Sequence, residues 1–195
     1  IRDLVRSRGL GDVYKRQQVL VISDTHLQNE LFQKINQTYP KMDYYLHCGD
    51  SSLKKDDFLL NKYYTVKGNH DDEDFPVNII LEIGKYRCLI THGNAYDIYY
   101  GNDKIKQYMI ANNIDICFHG HTHVPAYTQI GNRYIINPGS VMINRGSYGF
   151  GTFAIVEIGD TIKVNYYNSE TFEECSKMVL DDGKIVLEEF KQILK

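Results

Sequence analysis

Ile114-Asp115-Ile116-Cys117-Phe118-His119-Gly120-His121-Thr122-His123 decides the reading of this chain. A predicted buried strand, residues 114–118, runs into a turn that carries two histidines separated by one residue. Two such histidines at a strand end aim their imidazoles into one space where the backbone turns, and Gly120 permits the turn. That arrangement suits metal ligands. Alone, a His-x-His pair is often two polar residues on a turn, so its weight depends on what stands at the other strand ends.

The apolar run 18–23 ends in Ser23-Asp24-Thr25-His26 and reads as a buried strand opening into a polar loop. Leu27, Leu31, Phe32 and Ile35 then recur at helical spacing until Pro40. Tyr44-Tyr45-Leu46 leads into His47-Cys48-Gly49-Asp50, and Tyr63-Tyr64-Thr65-Val66 into Gly68-Asn69-His70-Asp71. Strands Val77 to Ile83 and Tyr86 to Ile90 are expected to form a hairpin through Gly84-Lys85, with Thr91-His92-Gly93 at the exit. A helix bearing Ile105 and Met109, with Asn102 as its N-cap, precedes the strand at 114. Beyond it, runs 127–130, 134–136, 151–158 and 161–167 read as antiparallel strands of a second sheet packed on the first. In the tail, Asp182-Gly183 reads as a turn or helix start, with Val186, Phe190 and Ile193 on one face of a terminal helix.

Every early strand exit thus carries a ligand type: Asp24 and His26, Asp50, Asn69 and His70, His92, His121 and His123. The intervals from Asp24 to Asp50, Asn69, His92 and His121 are 26, 19, 23 and 29 residues, each about one strand with its return connection. Strand ends of a mostly parallel sheet meet along one edge, so the eight groups are expected to share a crevice. Imidazole, carboxylate and a neutral amide oxygen, with no thiolate, are the set for divalent manganese, iron, cobalt, nickel or zinc. Seven ligands are too many for one transition ion and fit two if a carboxylate is shared; Asp50, alone at its strand end, is the natural bridge. Two such ions generate a hydroxide nucleophile and neutralise phosphoryl oxygens, which points to phosphoester hydrolysis.

Asp24-x-His26, Gly49-Asp50, Gly68-Asn69-His70-Asp71, His92 and Gly120-His121-x-His123 resemble the five ordered motifs of the calcineurin-like metallophosphoesterases. The short chain, the His47-Cys48-Gly49-Asp50 form and Asn137-Pro138-Gly139-Ser140 resemble the small prokaryotic, YfcE-like phosphodiesterase branch. The resemblance spans residues 18 to about 168. It implies an α/β fold, a four-layer αββα sandwich of two mixed β-sheets flanked by helices. It also implies that Asp24, His26 and His123 hold one ion, that Asn69, His92 and His121 hold the other, and that Asp50 bridges them, with manganese the expected metal. His70 would be the catalytic histidine, protonating the leaving alkoxide or stabilising the phosphoryl oxygens, with Asp71 orienting or charging it. Some relatives of this branch carry another residue at that position, so His70 favours an active enzyme. The same fold also serves as a non-catalytic scaffold in the retromer's sorting subunit, where the metal site is degraded; here all seven positions and His70 are filled. A phosphomonoesterase or nucleotide pyrophosphatase with the same metals is the other enzyme reading.

Substrate class follows from a departure. Protein phosphatases of the wider superfamily place Arg after their Gly-Asp motif and before Gly-Asn-His; here Ser51-Ser52-Leu53 follows Asp50 and Lys67 precedes Gly68. A diester carries less charge and needs fewer cationic clamps, so a small or nucleotide-like phosphodiester is expected, with Arg145 as one further positive group. Sixteen tyrosines read mostly as half-buried strand and loop residues; Tyr96, Tyr99 and Tyr100, just beyond His92, have lining of the substrate path as the alternative. His47 and His119 stand outside the ligand set, as interior histidines or as partners that fix a ligand's tautomer.

The 195 residues, 43% of them hydrophobic, suffice for one sizeable core, and one domain over 18–195 is expected. Residues 1–17 read as a sequencing-adapter scar, because Asp12-Val13-Tyr14-Lys15-Arg16-Gln17 is what a transposon-end sequence encodes; the alternative is a basic arm. They carry five basic and two acidic side chains, so without them the net charge moves from −3 to −6, and nothing reads as a basic stripe for polynucleotide. No stretch is long and apolar enough for a membrane. Cys48, Cys88, Cys117 and Cys175 form no CxxC pair and read as buried thiols of a reducing compartment, so a soluble cytoplasmic protein is expected. A homo-oligomer remains compatible with the sequence.

Overall fold

A computed structural model describes residues 16–194. The scar expected over 1–17 therefore falls almost wholly outside the described residues; Gln17 opens the first strand.

Two five-stranded sheets form the body. The first contains β1 (Gln17–Ile22), β2 (Tyr44–His47), β3 (Tyr64–Thr65), β9 (Thr152–Ile158) and β10 (Ile162–Asn168), in the order β10-β9-β1-β2-β3. The second contains β4 (Asn78–Ile83), β5 (Tyr86–Thr91), β6 (Ile116–Phe118), β7 (Ala126–Ile130) and β8 (Arg133–Asn137), in the order β4-β5-β6-β8-β7. Both are mixed: β1 pairs in parallel with β2 and antiparallel with β9, while β5, β6 and β8 run parallel.

The layers follow from side-chain alternation along buried strands. Val19 and Val21 of β1 point inward with Leu46, and meet Cys88, Ile90, Ile116, Phe118 and Ile136 of the second sheet in the central core. Leu20 and Ile22 point outward, onto Phe32 and Ile35 of α1 (Asn29–Thr38). On the far side Leu89, Cys117 and Ile135 pack against Ile105 and Met109 of α2 (Asp103–Ala111). The order is helix, sheet, sheet, helix, the αββα sandwich expected. No helix among the described residues is long and apolar enough to cross a membrane.

Several expectations are corrected. The strands that carry the candidate ligands do not share one sheet: β1, β2 and β3 lie in the first, β5 and β6 in the second. Likewise β9 and β10 return to the first sheet, because β1 is buried on both edges and the almost wholly buried β9 supplies its other neighbour. Asn102 stands at the start of α2 without a side-chain capping bond. Asp182-Gly183 is neither turn nor start but the middle of α3 (Ser176–Ile193). A Cβ at Gly183 would lie 2.5 Å from the Pro125 carbonyl, so glycine there permits close packing, at a helix-propensity cost of about 1 kcal/mol. Asp182 accepts hydrogen bonds from the Ser147 hydroxyl and amide. Through Val179 and its neighbours α3 closes one end of the sandwich, against both β10 and β7.

Candidate metal centre

The C-terminal ends of β1, β2, β3, β5 and β6 open onto one crevice, and backbone bonds lace their loops together. Asp24 N donates to Gly49 O and His26 N to Asp50 O, joining the first two loops. Gly120 N donates to His92 O, and His121 N donates to Asp24 Oδ2 across the two sheets. Asp24, His26, Asp50, His121 and His123 all have positive φ, between 41° and 68°. Each such residue costs on the order of 1–3 kcal/mol, a strain that concentrates at functional sites.

Several of the candidate side chains lie close together in this crevice. Asp24 Oδ1 lies 3.1 Å from His123 Nε2 and 3.9 Å from the Nε2 atoms of both His26 and His92. Asp50 Oδ2 lies 3.3 Å from His92 Nε2 and 3.9 Å from His26 Nε2. His92 Nε2 is 3.1 Å from Asn69 Oδ1 and 3.2 Å from His121 Nδ1, and His26 Nε2 is 3.4 Å from His123 Nε2. Two groups of potential ligands result, Asp24 with His26 and His123, and Asp24 with Asp50 and His92. Asp24 therefore faces both halves, as Asp50 does; sequence spacing had singled out Asp50 alone. His70 is exposed, its ring centroid 5.4 Å from that of His26, and its amide donates to Asp50 Oδ1 at 2.7 Å.

The donor set fits divalent cations. Asp24 Oδ2 accepts from the Ser23 hydroxyl, but among the described residues buried Oδ1 accepts no hydrogen bond and has the imidazoles of His26, His92 and His123 around it. A buried carboxylate oxygen in that position needs a compensating charge. Burial works to raise the Asp24 pKa, but His123, His92 and Ser23 outweigh it and hold the group well below the usual carboxylate range. Burial lowers His26, and with neighbouring His92 it lowers His121 to about 4, so both imidazoles are neutral and able to ligate. His92 is the exception: burial would lower it, but the Asp50 hydrogen bond and the two carboxylate charges raise it to about 9. Its Nδ1 donates to Cys48 O at 2.7 Å, so Nε2 is the atom turned to the site.

A pH dependence follows. Below about pH 9 a cation arriving at His92 Nε2 must displace a proton, so metal affinity should rise about tenfold per pH unit from pH 7 to pH 9 and then level off. Calorimetry at pH 7 in buffers of different ionisation enthalpy should show release of about one proton. Affinity that falls as pH rises over that interval would contradict the assignment.

Other readings change. Gly120 has no positive φ; a Cβ there would overlap the Ser23 hydroxyl and lie 2.6 Å from Asp24 Oδ2, so the position needs space rather than backbone freedom. Asp71 does not orient His70: Oδ2 accepts from Asp50 N and Gly68 N, and Oδ1 from Ser52 N and the Ser51 hydroxyl. His47 is an interior histidine, between the Thr25 hydroxyl and Gly49 N, and burial lowers it to about 4. His119 lies against Gly120 O and Asn137. Of the three tyrosines only Tyr99 touches a site residue, its ring 4.8 Å from that of His121; Tyr96 binds Asn78 and packs on Tyr108, and Tyr100 is exposed.

The supporting loop after β8 carried no assigned role in the sequence reading. Asn137 Nδ2 donates to Gly120 O and the Thr122 hydroxyl, Ser140 Oγ donates to Asp24 O, and Val141 N donates to Ser23 O. Asn-Pro-Gly-Ser after an apolar strand was the signal available; it reads locally only as a turn.

Fold and centre together define a metallophosphoesterase, and the calcineurin-like phosphoesterase superfamily domain matches residues 18–161, so the chain belongs to that superfamily. The probable metallophosphoesterase YsnB of Bacillus subtilis is 35% identical over 132 residues, 65% of this chain and 76% of its own length. A predicted phosphoesterase of Streptococcus pneumoniae, known from its crystal structure, superposes with a TM-score of 0.76 at 31% identity, covering 80% of this chain and 91% of that one. Phosphodiesterase YfcE of Escherichia coli is 34% identical over 106 residues, about half of each chain.

Proposed function

We propose that the chain is a metal-dependent phosphodiesterase of the cytoplasm acting on a small or nucleotide-like diester. The observation that carries the reading is Asp24 Oδ1, buried among three imidazoles and, among the described residues, without a hydrogen bond, with Asp50 in the same cluster. The likeness to YfcE supports the diester, and the free cysteines, three of them buried, support a reducing compartment. Asp24, His26 and His123 would hold one ion and Asn69, His92 and His121 the other, with Asp50 between them. Manganese is the first choice, with nickel, iron, cobalt or zinc as alternatives. Bound there, two divalent ions supply Lewis acidity, lowering the pKa of water and offsetting phosphoryl charge.

The chain's own groups do the rest. Water gives up one proton to solvent and adds to phosphorus as the bond to the leaving oxygen breaks, giving a monoester and an alcohol. His70 hands its proton to that departing oxygen and regains one from solvent afterwards, and its exposed position lets it reach substrate. The backbone bond from His70 N to Asp50 keeps the acid and the shared carboxylate in fixed register.

Manganese-loaded protein should hydrolyse bis-para-nitrophenyl phosphate in preference to the para-nitrophenyl monoester, and chelation should end both activities. Cyclic nucleotides and dinucleotides in the same panel rank the natural class. Faster monoester turnover would replace diesterase by monoesterase, and full metal occupancy without turnover of any member would favour the scaffold.

A further inference from the structure

We propose that Arg145 grips the phosphoryl oxygens of the substrate, and that Tyr99 and Phe190 hold its guanidinium at the mouth of the metal centre. The proposal rests on the hydrolase reading and adds its anion-binding group.

Arg145 is exposed, and its amide donates to His123 O at 2.8 Å, which anchors it beside the site. Its guanidinium carbon lies 5.3 Å from the centroid of the Tyr99 ring and 5.5 Å from that of Phe190. Those two rings meet edge to face, 5.3 Å apart. The Tyr99 ring in turn lies 4.8 Å from the His121 imidazole, and its hydroxyl donates to His121 O. One aromatic ring therefore separates the cation from a candidate ligand. Among the described residues no carboxylate lies within 4.0 Å of Arg145, although ion pairs form elsewhere on this surface.

A guanidinium set against two rings is oriented by them and by its hydrogen bond to the Tyr99 hydroxyl, and the N–H groups that remain match phosphoryl oxygens. Ser51 follows Asp50 and Lys67 precedes Gly68, so these two motif positions supply no guanidinium. Phe190 belongs to α3, beyond residue 161, where the superfamily match ends. The terminal helix thereby acquires a role at the site: Phe190, like Tyr99, is a positioning residue that acts through Arg145.

The test uses the manganese-loaded protein, with inorganic phosphate as the binding probe and bis-para-nitrophenyl phosphate as substrate. Arg145→Gln should weaken phosphate binding in calorimetry, and raise KM, about tenfold or more, the scale of a charge-assisted hydrogen bond, with kcat changed much less and metal content unaltered. Arg145→Lys should restore part of the loss. Phe190→Ala should raise KM by a smaller factor, and should add nothing in the Arg145→Gln background. Unchanged phosphate affinity in a fully metallated Arg145→Gln protein would overturn the proposal and leave the hydrolase reading standing. Wild-type protein that binds phosphate through Arg145 but holds no metal would do the reverse. An equal effect of Phe190→Ala in both backgrounds would remove the positioning role.

Discussion

Asp50→Asn is expected to lower hydrolysis of bis-para-nitrophenyl phosphate by about 10³-fold or more, the scale on which losing a preorganised charge costs a reaction. The substitution is nearly isosteric. The amide oxygen can take the place of Oδ1, which accepts from His70 N at 2.7 Å, so the loop keeps its bond. What disappears is the negative charge at Oδ2, the atom facing both His92 and His26. Metal stoichiometry should drop while the circular dichroism spectrum stays that of the parent. His121→Ala should act in the same direction through the imidazole beside His92. Full turnover by either variant would count against the centre.

Asp71→Ala is expected to do the opposite kind of damage, to stability first. The carboxylate is the common acceptor for three backbone amides, of Asp50, Gly68 and Ser52, and for the Ser51 hydroxyl. Each buried donor left alone costs about 1–3 kcal/mol, with losses at one cluster adding less than linearly. A total of about 4 kcal/mol is expected, a large part of the stability of an ordinary domain. In a chain of this size that lowers Tm by roughly 10 °C. The fall should be equally large in chelator-treated protein, because the network holds backbone rather than metal. A Tm unchanged in metal-free protein would assign Asp71 to the chemistry instead.

The site was legible in the sequence for a local reason. Strands buried on both faces read as unbroken apolar runs, so the polar residue that ends each one, such as Asp24 after Ile22 or His92 after Ile90, stands out in its own neighbourhood. The division of those strands between two sheets had no such signal, because pairing β9 with β1 joins residues more than 130 apart. Asp71 departs from the role the resemblance implied for a similar reason: it follows His70 in the chain, while the donors it serves come from the loops after β2 and β3. Gly120 shows the same limit, since the clash it avoids is with Ser23 and Asp24, almost a hundred residues earlier. Tyr99 and Tyr96, three residues apart, look equivalent in sequence and face different neighbours in the fold.

The division of the ligands has a mechanical corollary. Asp24, His26, Asp50 and Asn69 rise from one sheet, while His92, His121 and His123 rise from the other. Cations held between them would act as removable rivets at one end of a seam whose remaining length is closed by Val21, Leu46, Ile90 and Phe118. Their withdrawal would let the rim gape while the apolar seam beneath stays shut.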